Sequence, residues 1–296
     1  MQELWSKEDR LITEEEWIKT ISNLKKKDTI KNLSEAKKQL KDILTDSVKK
    51  RVPQDKKIGV FFSGGVDSSF IAAVCKELSA DFTCYTVGFQ EGTKEPEDIL
   101  EAKKVAQKLG FKLKYKLFNL KETETIIKKT IKTLKPVHKT DVVNIGVGAV
   151  ILAAAELARK DKINHLLGGL GSEEIFAGYQ RHQVKDINQE CWRGLKAMWS
   201  RDLVRDFTLS QSLNITINTP FLDEELIAYA MTLPGHWKIN PEGNKMILRE
   251  IAEEFLGTFA WRKKKAAQYG SCFDKAISKL AKQQGFKFKK DYLDSL

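Results

Sequence analysis

Ser63-Gly64-Gly65-Val66-Asp67-Ser68-Ser69 gathers two glycines, three hydroxyls and a carboxylate between an apolar run at 58–62 and a helical pattern at 68–78. Glycines in such a turn let the backbone approach a ligand closely, and the start of the following helix offers unpaired N–H groups and a positive dipole end to an anion. Ser63, Ser68 and Ser69 add hydroxyl donors, and Asp67 is able to hold a Mg²⁺ that bridges phosphates. The combination suits pyrophosphate. It matches neither G-x-x-x-x-G-K-[ST] nor G-x-G-x-x-G, and a strand-to-helix turn that binds nothing is the plainer alternative.

A second constellation, LGGLGSEEIFAGY at 167–179, ends another apolar run. Ser172 is placed to cap a helix that carries Glu173 and Glu174 in its first turn. A carboxylate aimed back at the first loop would give a second metal ligand opposite Asp67, and two carboxylates make a Mg²⁺ clamp that neutralises a leaving pyrophosphate. Taken alone, the same residues read equally well as a capping box.

Holding two such loops together requires strands that alternate with helices. Strand patterns at 58–62, 82–89, 111–118 and 163–169 alternate with helical ones at 68–78, 97–109, 121–134 and 144–159. This predicts an α/β fold with an open, doubly wound, mostly parallel sheet and the ligand at the carboxyl ends of its strands. Apolar residues at Leu33, Ala36, Leu40, Ile43, Leu44 and Val48 make 1–52 a helical N-terminal extension closed by Pro53. After Gly178 no strong strand pattern remains, and 187–213, 223–232, 244–256 and 273–283 read as helices. The expected division is thus 1–52, an α/β core at 53–180 and a helical part at 181–296 that completes the site.

Composition narrows the partners. Across 296 residues, 51 Lys and Arg against 40 Asp and Glu give a net charge of +11, which suits RNA and a nucleotide pocket alike. The lysine run at 25–27 has no interleaved aromatics and reads as a solvated helix end. Cys75, Cys84, Cys191 and Cys272 form no C-x-x-C pair, which argues against a disulfide framework or zinc ribbon. His138, His165, His182 and His236 show no local ligand spacing. The charged start holds no signal-like segment, and the apolar stretch 145–157 is too short for a bilayer, so no membrane partner and a cytoplasmic location are expected.

SGGVDSS after a strand resembles the PP-loop of the ATP pyrophosphatase superfamily. With the second constellation, RDLVR at 201–205, TPFLD at 219–223, NKMILRE at 244–250 and AWRKKKAAQYGS at 260–271, about residues 35–275 resemble the synthetase domain of the asparagine synthetase family, which includes the β-lactam synthetases. The resemblance implies a PP-loop, adenine nucleotide alpha hydrolase-like fold, ATP and Mg²⁺ as cofactors, and adenylation of a small-molecule carboxylate, aspartate by default, before an amine displaces AMP. It further implies that Ser63, Gly64, Gly65, Asp67 and Ser68 bind the phosphates, and that Phe61, Val87, Gly168 and Gly169 line the adenosine. Asp67 and Glu173 would be the Mg²⁺ ligands, with Lys264 the basic residue beside the reacting phosphate; these three would be the catalytic set.

Three departures accompany it. The family's second motif reads S-G-E-G-x-D-E, and Leu170 stands at its first glutamate while Glu173 replaces the aspartate. Gly146 stands where asparagine synthetases often carry Arg. Gln2 follows Met1 in place of the glutaminase cysteine, so ammonia, another amine or a separate glutaminase subunit is the expected nitrogen source. A PP-loop enzyme acting on tRNA and an ATP-binding module without catalysis are the alternatives, and a homo-oligomer stays open.

Overall fold

A computed structural model describes residues 2–26, 30–262 and 265–296. Five parallel strands, β1 (Ile58–Phe61), β2 (Phe82–Phe89), β3 (Leu113–Phe118), β4 (His165–Leu167) and β5 (Thr216–Asn218), form one sheet in the order β3-β2-β1-β4-β5. Val60 of β1 pairs with Cys84 on one side and Leu167 on the other. The chain runs outward from β1 to β3 and then crosses back to β4, so the strand order reverses between β1 and β4. In such a sheet the crevice for a ligand opens at that switch point, outside the carboxyl ends of the two strands.

Parallel strands need crossover helices, and these bury both faces. Helices α1 (Glu14–Asn23) and α2 (Leu33–Lys49) precede the sheet; α3 (Val66–Glu77) and α4 (Glu97–Leu109) join its first strands. On one face Ile58, Val60 and Cys84 pack with Leu40 and Leu44 of α2, Phe70 and Val74 of α3 and Val105 of α4. The other face is covered by α5 (Leu120–Leu134), α6 (Val142–Lys160) and α9 (Val204–Leu213), where Ile127, Leu152 and Leu209 meet Tyr85, Val87 and Leu166. Helix α6 is long and apolar enough to cross a bilayer by composition, yet 56% of its most apolar window is buried inside the protein. Its position between α5, α9 and the sheet accounts for that composition.

The remaining helices are α7 (Ser172–Ile175), α8 (Ile187–Met198), α10 (Glu224–Ala230), α11 (Gly235–Lys238), α12 (Met246–Leu256), α13 (Ala267–Gly270), α14 (Phe273–Gln283) and α15 (Lys289–Asp294). Three features differ from the sequence expectation. Strand β5 lies beyond Gly178, where no strand was expected: three residues on a sheet edge are too few to show alternation, and the sheet therefore draws on both sides of residue 180. Two-stranded ribbons occur at Ser6–Lys7 with Arg10–Leu11 and at Ile239–Asn240 with Gly243–Asn244. The helix expected over 187–213 is interrupted by a π-helical turn, Trp199–Leu203, which carries Arg201 and Asp202.

Candidate active site

The first loop leaves β1 in a turn that only glycine fits. Gly64 has φ +67°, and a Cβ there would stand 2.9 Å from the backbone carbon of Glu101. Gly65 is the N-cap of α3 and provides no side-chain cap, so no cap side chain covers the first-turn N–H groups. The serines brace the turn: Ser63 N–H donates to Ser68 Oγ at 3.3 Å, and Ser68 Oγ donates to the Gly65 carbonyl at 3.3 Å. Asp67 follows in the first turn, buried.

The second loop leaves β4 against the first. A Cβ on Gly169 would stand 3.0 Å from Asp67 Cβ, so the missing side chain sets how closely the loops approach. Gly171, at φ +99°, is the N-cap of α7; Ser172, expected as that cap, is instead the first helical residue. Its hydroxyl donates to Asp67 Oδ1 at 2.5 Å, tying one loop to the other. Glu173 comes next, its Oε2 lying 1.6 Å from where a Cβ on Gly178 would be.

Between the two carboxylates sits Lys245, the N-cap of α12. Its Nζ lies 2.8 Å from both Asp67 oxygens and 2.8 Å from Glu173 Oε1, and the residue is buried. Burial alone would lower this ammonium's pKa, but the charges of Asp67 and Glu173 outweigh it and hold it above the ordinary range. Arg249, one turn on, donates to the carbonyls of Asn244, Ala260 and Arg262. Burial depresses its pKa against the pull of Asp67 and Glu173. Arg262 in turn donates to the Ser63 carbonyl at 2.8 Å and lies 3.6 Å from Asp98, which fastens the segment after α12 onto the phosphate-type loop.

Two cavities meet at this pair of carboxylates. One, of about 280 Å³, is lined by Phe61, Ser63, Asp67, Ser68, Val87, Gly168, Gly169 and Glu173 together with Leu170, Glu174, Arg205 and Gln268. The other, of about 410 Å³, shares Asp67, Glu173 and Tyr179 and adds Lys245, Arg249, Trp261 and Arg262. The residues expected to contact nucleotide thus come together, with Gly64 and Gly65 forming the turn itself. Lys264 lies outside the described residues. Lys245 was not singled out in the sequence; its only signal was membership of the NKMILRE segment.

The donor set suits Mg²⁺. Asp67 and Glu173 supply hard oxygen donors that already converge on one cation, and among the described residues no larger metal-binding cluster of His, Cys, Asp or Glu exists. Two carboxylates without a full protein cage match an ion that keeps its remaining positions for water and substrate phosphates.

A charged network also lines the smaller cavity. Glu174, buried, is bound by Arg201, with Arg181 at 3.5 Å. Burial pushes its carboxyl up to about 7, Arg201 opposing and Asp202 and Glu173 adding to it. Arg201 also pairs with Asp202 at 2.6 Å, and Arg205 joins Asp202 at 3.3 Å and Asp206 at 2.7 Å. Gln268 covers Gly146, its Cβ lying 3.2 Å from where a side chain there would begin.

The profile of the family described as "Asparagine synthase" matches residues 39–212 and 183–287. A Methanocaldococcus jannaschii protein assigned as a glutamine-hydrolysing asparagine synthetase is 32% identical over 90% of this chain and 56% of its own length. The glutamine-hydrolysing asparagine synthetase of Mus musculus is 28% identical over 89% of this chain and 47% of its own. The chain spans about half the length of the curated relatives it matches. A solved M. jannaschii structure titled as a predicted subunit of tRNA methyltransferase overlays loosely, with a TM-score of 0.36 and 20% identity over 78% of this chain and 90% of that one. With its profile match spanning both loops and the helices that close over them, the chain belongs to the asparagine synthase family.

Proposed function

We propose that this site binds ATP with its phosphates between the two loops and adenylates a carboxylate, releasing pyrophosphate, before a nitrogen nucleophile displaces AMP to form an amide. One observation carries the reading: Asp67 and Glu173, from the loops after β1 and β4, converge on a single cation position beside the N-terminus of α3.

In this reading the first-turn N–H groups of α3 and the hydroxyls of Ser63 and Ser68 hold phosphate oxygens, and Phe61 and Val87 provide apolar wall for the adenosine between them and Gly168–Gly169. Asp67 and Glu173 would hold Mg²⁺, which when bound neutralises charge on the departing pyrophosphate. Lys245, Arg249 and Arg262 supply positive charge to the larger cavity, where the leaving group gathers; Lys264 is proposed to add to it. Leu170 takes no proton, so positioning and charge neutralisation carry most of the rate. Residues 181–296 contribute Lys245, Arg249, Arg262 and Gln268, which supports their proposed role of completing the site.

The name carried by the relatives supports aspartate as the acid and ammonia, free or delivered by a glutaminase partner, as the nucleophile. The test is incubation with ATP, Mg²⁺, ¹⁵N-ammonium and a panel of carboxylic acids, followed by mass analysis. AMP with ¹⁵N-asparagine is the expected pair. Formation of ADP and inorganic phosphate in place of AMP would overturn the mechanism, and a different amide would reassign the acid.

A further inference from the structure

We propose that Lys245 occupies the two-carboxylate cation position while no nucleotide is bound, so that a divalent metal gains the site only together with ATP. The inference rests on the reading of Asp67 and Glu173 as metal ligands.

Three observations carry it. The ammonium makes close ionic contacts to both oxygens of Asp67 and to Oε1 of Glu173, each at 2.8 Å, and so takes the direction in which both carboxylates point. Close neighbours mark where both partners stand. Glu173 Oε2 lies where a Cβ on Gly178 would be, Lys245 Cε is 2.5 Å from that same point, and Ser172 holds Asp67 from behind. The aim of the lysine is set by its backbone: Lys245 has φ +55°, its carbonyl accepts from the Arg249 N–H at 2.9 Å, and the Arg249 guanidinium fastens Asn244.

Charge then decides the order. The ammonium offsets one of the two carboxylate charges and the nearby Arg249 guanidinium offsets more, which leaves too little negative charge to draw in a doubly charged ion against a resident cation a few ångströms away. Expelling the ammonium without a replacement partner would leave it buried and unpaired, which is costly. A triphosphate removes both obstacles. It brings its own negative charge with the metal, and it offers oxygen acceptors to an ammonium that already lines the larger cavity beside Arg249 and Arg262. The lysine thus exchanges carboxylates for phosphates as the metal–nucleotide complex enters.

The experiment is a Mn²⁺ titration of the full chain, followed by the loss of the free-ion EPR signal, with and without a non-hydrolysable ATP analogue. The wild type is expected to take up one Mn²⁺ with the analogue and to bind Mn²⁺ alone at least about tenfold more weakly. Lys245→Met is expected to bind Mn²⁺ alone about tenfold more tightly than the wild type, and its melting temperature is expected to rise with Mg²⁺ where the wild type's does not. Equal uptake of Mn²⁺ by the wild type with and without the analogue would overturn the inference while leaving the metal site in place, and needs no variant to fold. Failure to bind Mn²⁺ even with the analogue would remove the metal–nucleotide reading and this inference with it.

Discussion

At Gly178 one hydrogen stands where any other residue would put a Cβ 1.6 Å from Glu173 Oε2. A methyl group there forces Glu173 away from Lys245 and Asp67, and displacements of about 1 Å at a reacting centre cost on the order of 100-fold in rate. Gly178→Ala is therefore expected to lower acid-dependent pyrophosphate release by about 100-fold while far-ultraviolet circular dichroism at about 25 °C stays close to wild type. Release within twofold of wild type would show that Glu173 need not stand where it does. The two carboxylates were legible in the sequence because each follows a glycine turn and opens a helix, a pattern read within a few residues. Lys245 was not. It lies 178 residues from Asp67 along the chain, and nothing local to a lysine that caps a helix says which carboxylates it will meet. Ser172 was legible as a helix-start residue but not in its task, since its hydroxyl turns to Asp67 across 105 residues.

Helix α11 places Lys238 entirely inside the protein, with Met231 Sδ at 3.6 Å as its hydrogen-bond partner among the described residues. Burial pulls its pKa from the ordinary 10.5 down to about 8, with Cys191 opposing. Below pH 8 the lysine is charged in both folded and unfolded chains, and the folded state bears the full cost of burying that charge. As pH rises from about 8 towards 10.5 the unfolded chain holds the proton longer, so stability rises with pH across that window. His182, buried and lowered to about 4 chiefly by burial, acts in the same sense between about 4 and 6.5. Lys238→Met keeps the volume and removes the charge, and is expected to stabilise the protein at neutral pH by on the order of 2 kcal/mol. A denaturant titration at pH 7 with an unchanged or lower midpoint would contradict this. Elements with a long enough pattern were readable: β2 and α4 begin and end where the sequence placed them. Strand β5 has three residues and the π turn interrupts an otherwise continuous apolar stripe, so both depend on packing partners that local pattern does not specify.

The sheet divides the molecule into two hydrophobic clusters, one around α2, α3 and α12, the other around α5, α6, α9 and α14. The strand order that produces them puts the carboxyl ends of β1 and β4 side by side, and with them the two glycine loops. Chain segments far from either loop then close over the crevice: Arg262 fastens to Ser63, and Gln268 settles over Gly146. The parallel sheet was legible because buried parallel strands are short continuous apolar runs, as at 58–61. The closing helices carry their site residues singly, at spacings fixed only by the fold. If the two loops form one pyrophosphate-releasing centre, Mg²⁺-dependent pyrophosphate release from ATP, measured with aspartate and other carboxylic acids, must differ between the wild type and Asp67→Asn. Acid-dependent release that falls at least about 100-fold in the variant, a loss of nearly 3 kcal/mol of transition-state stabilisation, is the predicted result. ATP binding without release for any acid, or release undiminished in Asp67→Asn, would contradict it.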